Sequence, residues 1–131
     1  MPHLQIDINK NVENEVKKNI AIRFKALFST IMDTGTDHIA TSIREFDTYN
    51  LDIGRVKDHK QGVALINADI REGRELEKRR NLALGFIKIL NELLNIPVEN
   101  IYVTFSEHKG EDFHLHELYL HSWQEGEDPF V

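Results

Sequence analysis

Apolar and polar positions alternate at the start of the chain, where Leu4, Ile6 and Ile8 are interleaved with Gln5 and Asp7. That is the period of a half-buried strand. Asn9 and Asn11 offer N-caps for the next element. Val16, Ile20, Phe24, Leu27, Phe28 and Ile31 then recur mostly at steps of three and four, a helical stripe. Thr34-Gly35 closes it, Gly35 suiting the left-handed position past a helix end. Ile39, Thr41 and Ile43 alternate with Ala40, Ser42 and Arg44 as a second strand. After a polar stretch from Asp47 to Gly62 the same order returns. Val63 to Ile70 reads as a strand and Gly73 as a turn. Leu76, Ala83, Ile87, Leu90 and Leu94 form a helix stopped by Asn95 and Pro97, and Ile101, Val103 and Phe105 form a closing strand. Two such strand–helix–strand units imply parallel pairs with right-handed crossovers, in one sheet with both helices on a single face. The fold class is a small α/β (α+β) domain.

The second helix carries a further apolar row, Leu82, Phe86, Ile89 and Leu93. Two readings stand: a wide core-facing stripe, or a contact between subunits. With 131 residues the chain is read as one domain, with repeat one at about 2–46, repeat two at about 63–106 and a tail at 107–131. The tail is expected to hold a strand from Phe113 to His121, followed by an acidic end. The absence of cysteine excludes disulfides, thiolate metal sites and cysteine nucleophiles. A net charge of −6 speaks against nucleic acid as a partner, and Lys78-Arg79-Arg80, close behind glutamates, reads as a solvated helix face. No run approaches the ~20 apolar residues of a membrane span, and nothing has the pattern of a signal peptide. The expectation is a cytoplasmic protein with no membrane partner.

Candidate chemistry begins at Pro2. Methionine before so small a residue is normally trimmed, which would leave Pro2 with a free secondary amine at the head of a strand. A reference α-amino group titrates near ~8; burial and nearby cations lower that value, towards the pH where a general base works best. Three arginines stand at element ends: Arg44 after the second strand, and Arg71 and Arg74 bracketing Glu72-Gly73 in the turn after the third. Ligands of open sheets gather at the carboxyl ends of strands, and the rigid guanidinium fork suits carboxylates. His114 and His116 would share one strand face, with Glu117 adjacent and His121 further along. No third ligand has zinc-site spacing, so ordinary strand histidines are expected there and no metal site.

Met1-Pro2-His3 before an alternating strand, Thr34-Gly35 with Ile43-Arg44 beyond it, Asp47-Thr48-Tyr49, and Gly73-Arg74-Glu75-Leu76-Glu77 opening a helix together resemble the tautomerase superfamily. The closest subgroup is 5-carboxymethyl-2-hydroxymuconate isomerase, and the likeness runs from Pro2 to about Leu90. Beyond Leu94, Asn95 to Val103 resembles the 4-oxalocrotonate tautomerase and macrophage migration inhibitory factor branches. Arg71-Glu72-Gly73-Arg74 is similar to the turn of the cis-3-chloroacrylic acid dehalogenase branch; Thr104 stands where that branch has a tyrosine. The resemblance implies two β-α-β units assembled as a homotrimer. It also implies Pro2 as acid–base catalyst and Arg44, Arg74 and, from the dehalogenase branch, Arg71 as substrate-binding residues.

The activity implied is a cofactor-independent isomerase that shifts a proton in a small anionic enol or unsaturated keto acid, as in the catabolism of aromatic compounds. On the same scaffold, a protonated proline would instead support hydratase, dehalogenase or decarboxylase chemistry. A non-enzymatic interaction protein is the alternative of a different class.

Overall fold

The computed structural model describes residues 2–115 and the backbone of residues 118–119. The main elements are β1 (His3–Ile8), α1 (Asn14–Met32), β2 (Ala40–Glu45), β3 (Ala64–Arg71), α2 (Leu76–Leu94) and β4 (Ile101–His108). Strand order is β2-β1-β3-β4. Each unit is a parallel pair with the same offset of 37 residues: His3 lies beside Ala40 in the first, Ala64 beside Ile101 in the second. The units join through β1 and β3, which run antiparallel.

Alternation along the strands decides what each face of the sheet meets. Leu4, Ile6, Ile8, Ala64, Ile66, Ala68 and Ile70 are buried beneath α1 and α2 in one core. Their neighbours in sequence (His3, Gln5, Asp7, Ser42, Asn67, Asp69 and Ser106) stand on the opposite face and are tied to one another by hydrogen bonds across the strands. The helices lie side by side, with Phe24 and Phe86 stacked at 4.3 Å between ring centroids. Gly85 permits this approach, because a Cβ there would come within 2.4 Å of Leu27 Cδ2.

Both apolar rows of α2 contribute to the core. Leu82, Phe86, Ile89 and Leu90 are buried within the chain, whereas Leu76 and Leu84 are exposed. The row that invited a subunit contact is the core-facing one, since the helix must cover both the sheet and α1. Helix α2 spans the segment its periodicity predicts, and Asn95 takes the left-handed stop (φ 56°) with its N–H bonded to the Asn91 carbonyl.

Three local expectations are corrected. Glu13, not an asparagine, precedes the first turn of α1. Asn9 is buried and acts across the fold instead: its Nδ2 donates to the carbonyls of Thr48 (2.8 Å) and His59 (3.1 Å), and its Oδ1 accepts from Val63 N–H (2.7 Å). At the other end of α1 the left-handed residue is Asp33 (φ 52°) rather than Gly35. In the tail, expected as one strand from Phe113 to His121, the described residues instead form β5 (His114–Leu115) paired antiparallel with β6 (Leu118–Tyr119).

Candidate active site

Because β1 and β3 are antiparallel, the amino end of β1 lies beside the carboxyl end of β3. Pro2 is buried there, and its carbonyl accepts a hydrogen bond from Ala40 N–H at 3.0 Å. Continuing the two registers by one residue sets Pro2 between Ile39 and Ile70. Continuing the register once more, the next row out holds His38, Arg71 and His108, the last two being partners on β3 and β4. After Arg71 the chain turns at Gly73 (φ 102°), a conformation that favours glycine. Glu72 N–H bonds to the His108 carbonyl at 2.8 Å and fixes the turn to β4. Arg71 is buried; Arg74 is half-buried and donates from Nη1 to the Met32 carbonyl at 3.1 Å. Pro2, Arg71 and Arg74 therefore share one end of the sheet.

His38 belongs to the same corner. It is buried at 5% exposure, and its Nε2 and Thr34 Oγ1 share a hydrogen bond of 3.2 Å. Its pKa is lowered from 6.5 to about 4. Burial is the main cause, followed by the positive charges of the amino terminus, Arg71 and Arg74; Asp37 opposes them. The imidazole is accordingly neutral at pH 7. Sequence reasoning passed over His38 because one histidine outside any periodic run gives no signal. Its position just ahead of a strand parallel to β1 was the available clue.

Arg44 is placed elsewhere. It sits opposite Asp7 near the carboxyl ends of β1 and β2, about five residues along the sheet, or ~16 Å, from Pro2. There it grips Asp7 through a fork, Nε to Oδ1 at 2.7 Å and Nη2 to Oδ2 at 3.1 Å, with its side chain well exposed. The rule that ligands collect at strand carboxyl ends sends Arg44 and Arg71 to opposite ends, because their strands point in opposite directions. A groove of about 620 Å³ bordered by Arg55, Lys57 and Asn100 also lies at that far end, where β3 and β4 begin. Thr104 stands on the open face and donates to Asn67 Oδ1 at 3.0 Å. Among the described residues, no group of three or more histidine, aspartate or glutamate side chains could hold a metal. His116, Glu117 and His121 lie outside the described residues.

No protein-family model matches the chain, and no curated protein matches it in sequence. Solved structures do match. A member of the cis-3-chloroacrylic acid dehalogenase family, N1, superimposes with a TM-score of 0.82 at 18% identity, over 92% of this chain and 84% of that one. A fused 4-oxalocrotonate tautomerase, a symmetric trimer, gives 0.77 at 14% identity over 88% and 92%. A macrophage migration inhibitory factor-like protein from Entamoeba histolytica gives 0.72 at 24% identity over 92% and 96%. The chain has the tautomerase fold.

Proposed function

We propose that the protein is a cofactor-independent tautomerase acting on a small enol or unsaturated keto acid, of the class of 5-carboxymethyl-2-hydroxymuconate, with the amine of Pro2 as base. The observation that carries this reading is the convergence of Pro2, Arg71, Arg74 and a neutral, buried His38 on one end of the sheet. A substrate carboxylate binds at the guanidinium groups, which also stabilise the negative charge that develops on the dienolate. The same charges disfavour the ammonium form of the Pro2 amine once Met1 is removed. The neutral amine takes the proton of the enol hydroxyl, the electron pair moves along the conjugated chain, and a carbon two atoms away receives a proton in return. Substrate and product are isomers, and no cofactor enters the step.

The fused 4-oxalocrotonate tautomerase with this fold is a trimer, and we place this chain in a homotrimer as well. Arg44 then serves a Pro2 site only across a subunit boundary, since within one chain it lies at the other end of the sheet. Sedimentation equilibrium tests the assembly; a monomer mass at micromolar concentration would remove Arg44 from the site. Turnover of 2-hydroxymuconate or phenylpyruvate by the wild type, strongly reduced in Pro2→Ala, tests the activity. Equal turnover by both proteins would refute Pro2 as the base, and none by either would favour a binding role.

A second reading has one observation in its favour. Both arginines of the Arg71–Arg74 turn lie at the Pro2 end, and the N1 structure belongs to a dehalogenase family. A proline that stays protonated would act there as an acid, in hydration, dehalogenation or decarboxylation. The pKa of Pro2 separates the two: near or below neutral for the base, well above it for the acid.

A further inference from the structure

We infer that His108, held by Asp69, is a second acid–base residue of this site, one row beyond Pro2 at the same end of the sheet. The inference rests on the tautomerase reading and extends it to a residue at the end of β4. His108 is the direct partner of Arg71 on the adjacent strand, so both side chains leave the sheet on its open face. Arg71 is in turn one residue beyond Ile70, the neighbour of Pro2. His108 is fixed on several sides. Its Nε2 lies 2.8 Å from Asp69 Oδ1, and Gln5 Nε2 donates to the second oxygen of the same carboxylate. The ring of Phe113 meets it edge-on at 5.6 Å and 84°. Its carbonyl accepts from Glu72 N–H.

An ionised carboxylate only accepts hydrogen bonds, so the contact with Asp69 places a proton on Nε2 and leaves Nδ1 for proton exchange. The side chain is 41% exposed, against 5% for the whole of His38. Of the two histidines on this row, His108 is the one a diffusing ligand can touch. Among the described residues, the charged groups that register and chain place near it are Asp69 and Arg71 on β3, Glu72 after it, His3 on β1, Glu107 and Lys109 on either side, and Glu111 and Asp112 in the turn that leads to Phe113.

A 1,3-proton shift breaks an O–H bond at one atom and makes a C–H bond at another. Two groups that reach different atoms of the substrate divide that work without a rotation of the intermediate. Neutral Pro2 takes the enol proton while protonated His108 gives the proton on Nδ1 to the carbon. The amine ends as ammonium and the ring as neutral imidazole, and water returns the proton from one to the other.

The test measures kcat, KM and their pH profiles on 2-hydroxymuconate for wild type, His108→Gln, Asp69→Asn and, as a far-end control, His59→Gln. His108→Gln should lose about 10²-fold in kcat, the usual scale for one general acid, with KM within twofold. It should also lose the descending limb of the kcat/KM profile while the ascending limb of Pro2 remains. Asp69→Asn should move the descending limb to lower pH, and His59→Gln should match the wild type. A folded His108→Gln enzyme with kcat within twofold, or slower with both limbs unchanged, would overturn the assignment. Failure of the tautomerase reading shows differently, as no turnover by any of the four. The ¹⁵N titration of the His108 ring with and without maleate then decides: a shift supports His108 as a proton-exchanging group of an anion site, and an unmoved curve rejects it.

Discussion

The two ends of the sheet handle positive charge in opposite ways. At the far end Arg44 is exposed and meets Asp7 in a two-pronged contact, and the buried polar groups there, Asn9 and Asn100, bond to backbone partners. At the Pro2 end Arg71 is buried, Arg74 donates to a neutral carbonyl, and burial, helped by the positive charges nearby, keeps His38 uncharged. The first arrangement pairs its charge within the chain. The second gathers two guanidinium groups beside a histidine that burial keeps neutral. On the proposed function the second end receives the substrate carboxylate, and Arg44 reaches such a site only across a subunit boundary.

Removing Arg74 should have the largest effect on this contrast. Arg74→Ala is expected to lower kcat/KM by roughly 10²-fold or more, a loss of about 3 kcal/mol of transition-state stabilisation. Arg74→Lys should rescue little, because a point charge does not reproduce the fork. Steady-state kinetics with circular dichroism as a control for folding checks both, and an unchanged Arg74→Ala would make the two ends equivalent. At the far end Asn9→Leu should leave kinetics intact and lower unfolding stability by about 2–4 kcal/mol. It strands one buried N–H and two carbonyls; urea melts measure it.

His38 adds a pH signature. Its folded pKa lies below its unfolded value, so the unfolded chain binds more protons between about pH 4 and pH 6.5. Stability present above pH 6.5 is therefore lost as pH falls through that window, on the order of 3 kcal/mol in total. His38→Gln should flatten the profile between pH 4 and 6.5, and a slope identical to that of the wild type would place the titrating group elsewhere. The smallest effect belongs to Arg44. Arg44→Ala should cost ~1 kcal/mol or less, as exposed pairs do, yet in a trimer it should also raise KM. Melts and kinetics on one sample separate the two.

What was legible in the chain follows the reach of each signal. Helix α2 and the repeated unit were readable because apolar steps of three and four, and alternations of two, are local. The turn at Gly73 was readable for the same reason. The start of α1 was not, because Asn9 looks like a cap but is recruited by Thr48, His59 and Val63, residues 39 to 54 positions away. The antiparallel join of the two units left no local trace. It is this join that sends Arg44 to the far end and brings His38 and His108 beside Arg71. Pro2, Arg71 and Arg74 could be named from the sequence; their shared location required the register.

The central claim, that the Pro2 amine is the base, is tested most directly by comparing two forms of the same chain. One is fully processed; the other retains Met1 because methionine aminopeptidase was inhibited during expression. Intact mass assigns each form, and kcat/KM is then measured against pH. Retaining Met1 turns the amine into an amide nitrogen, which is not basic. The processed form should be active, with its rate rising through a single group of the free enzyme, and the Met1 form should be folded and inactive. A Met1-retaining protein with the activity and pH profile of the processed one would contradict the account.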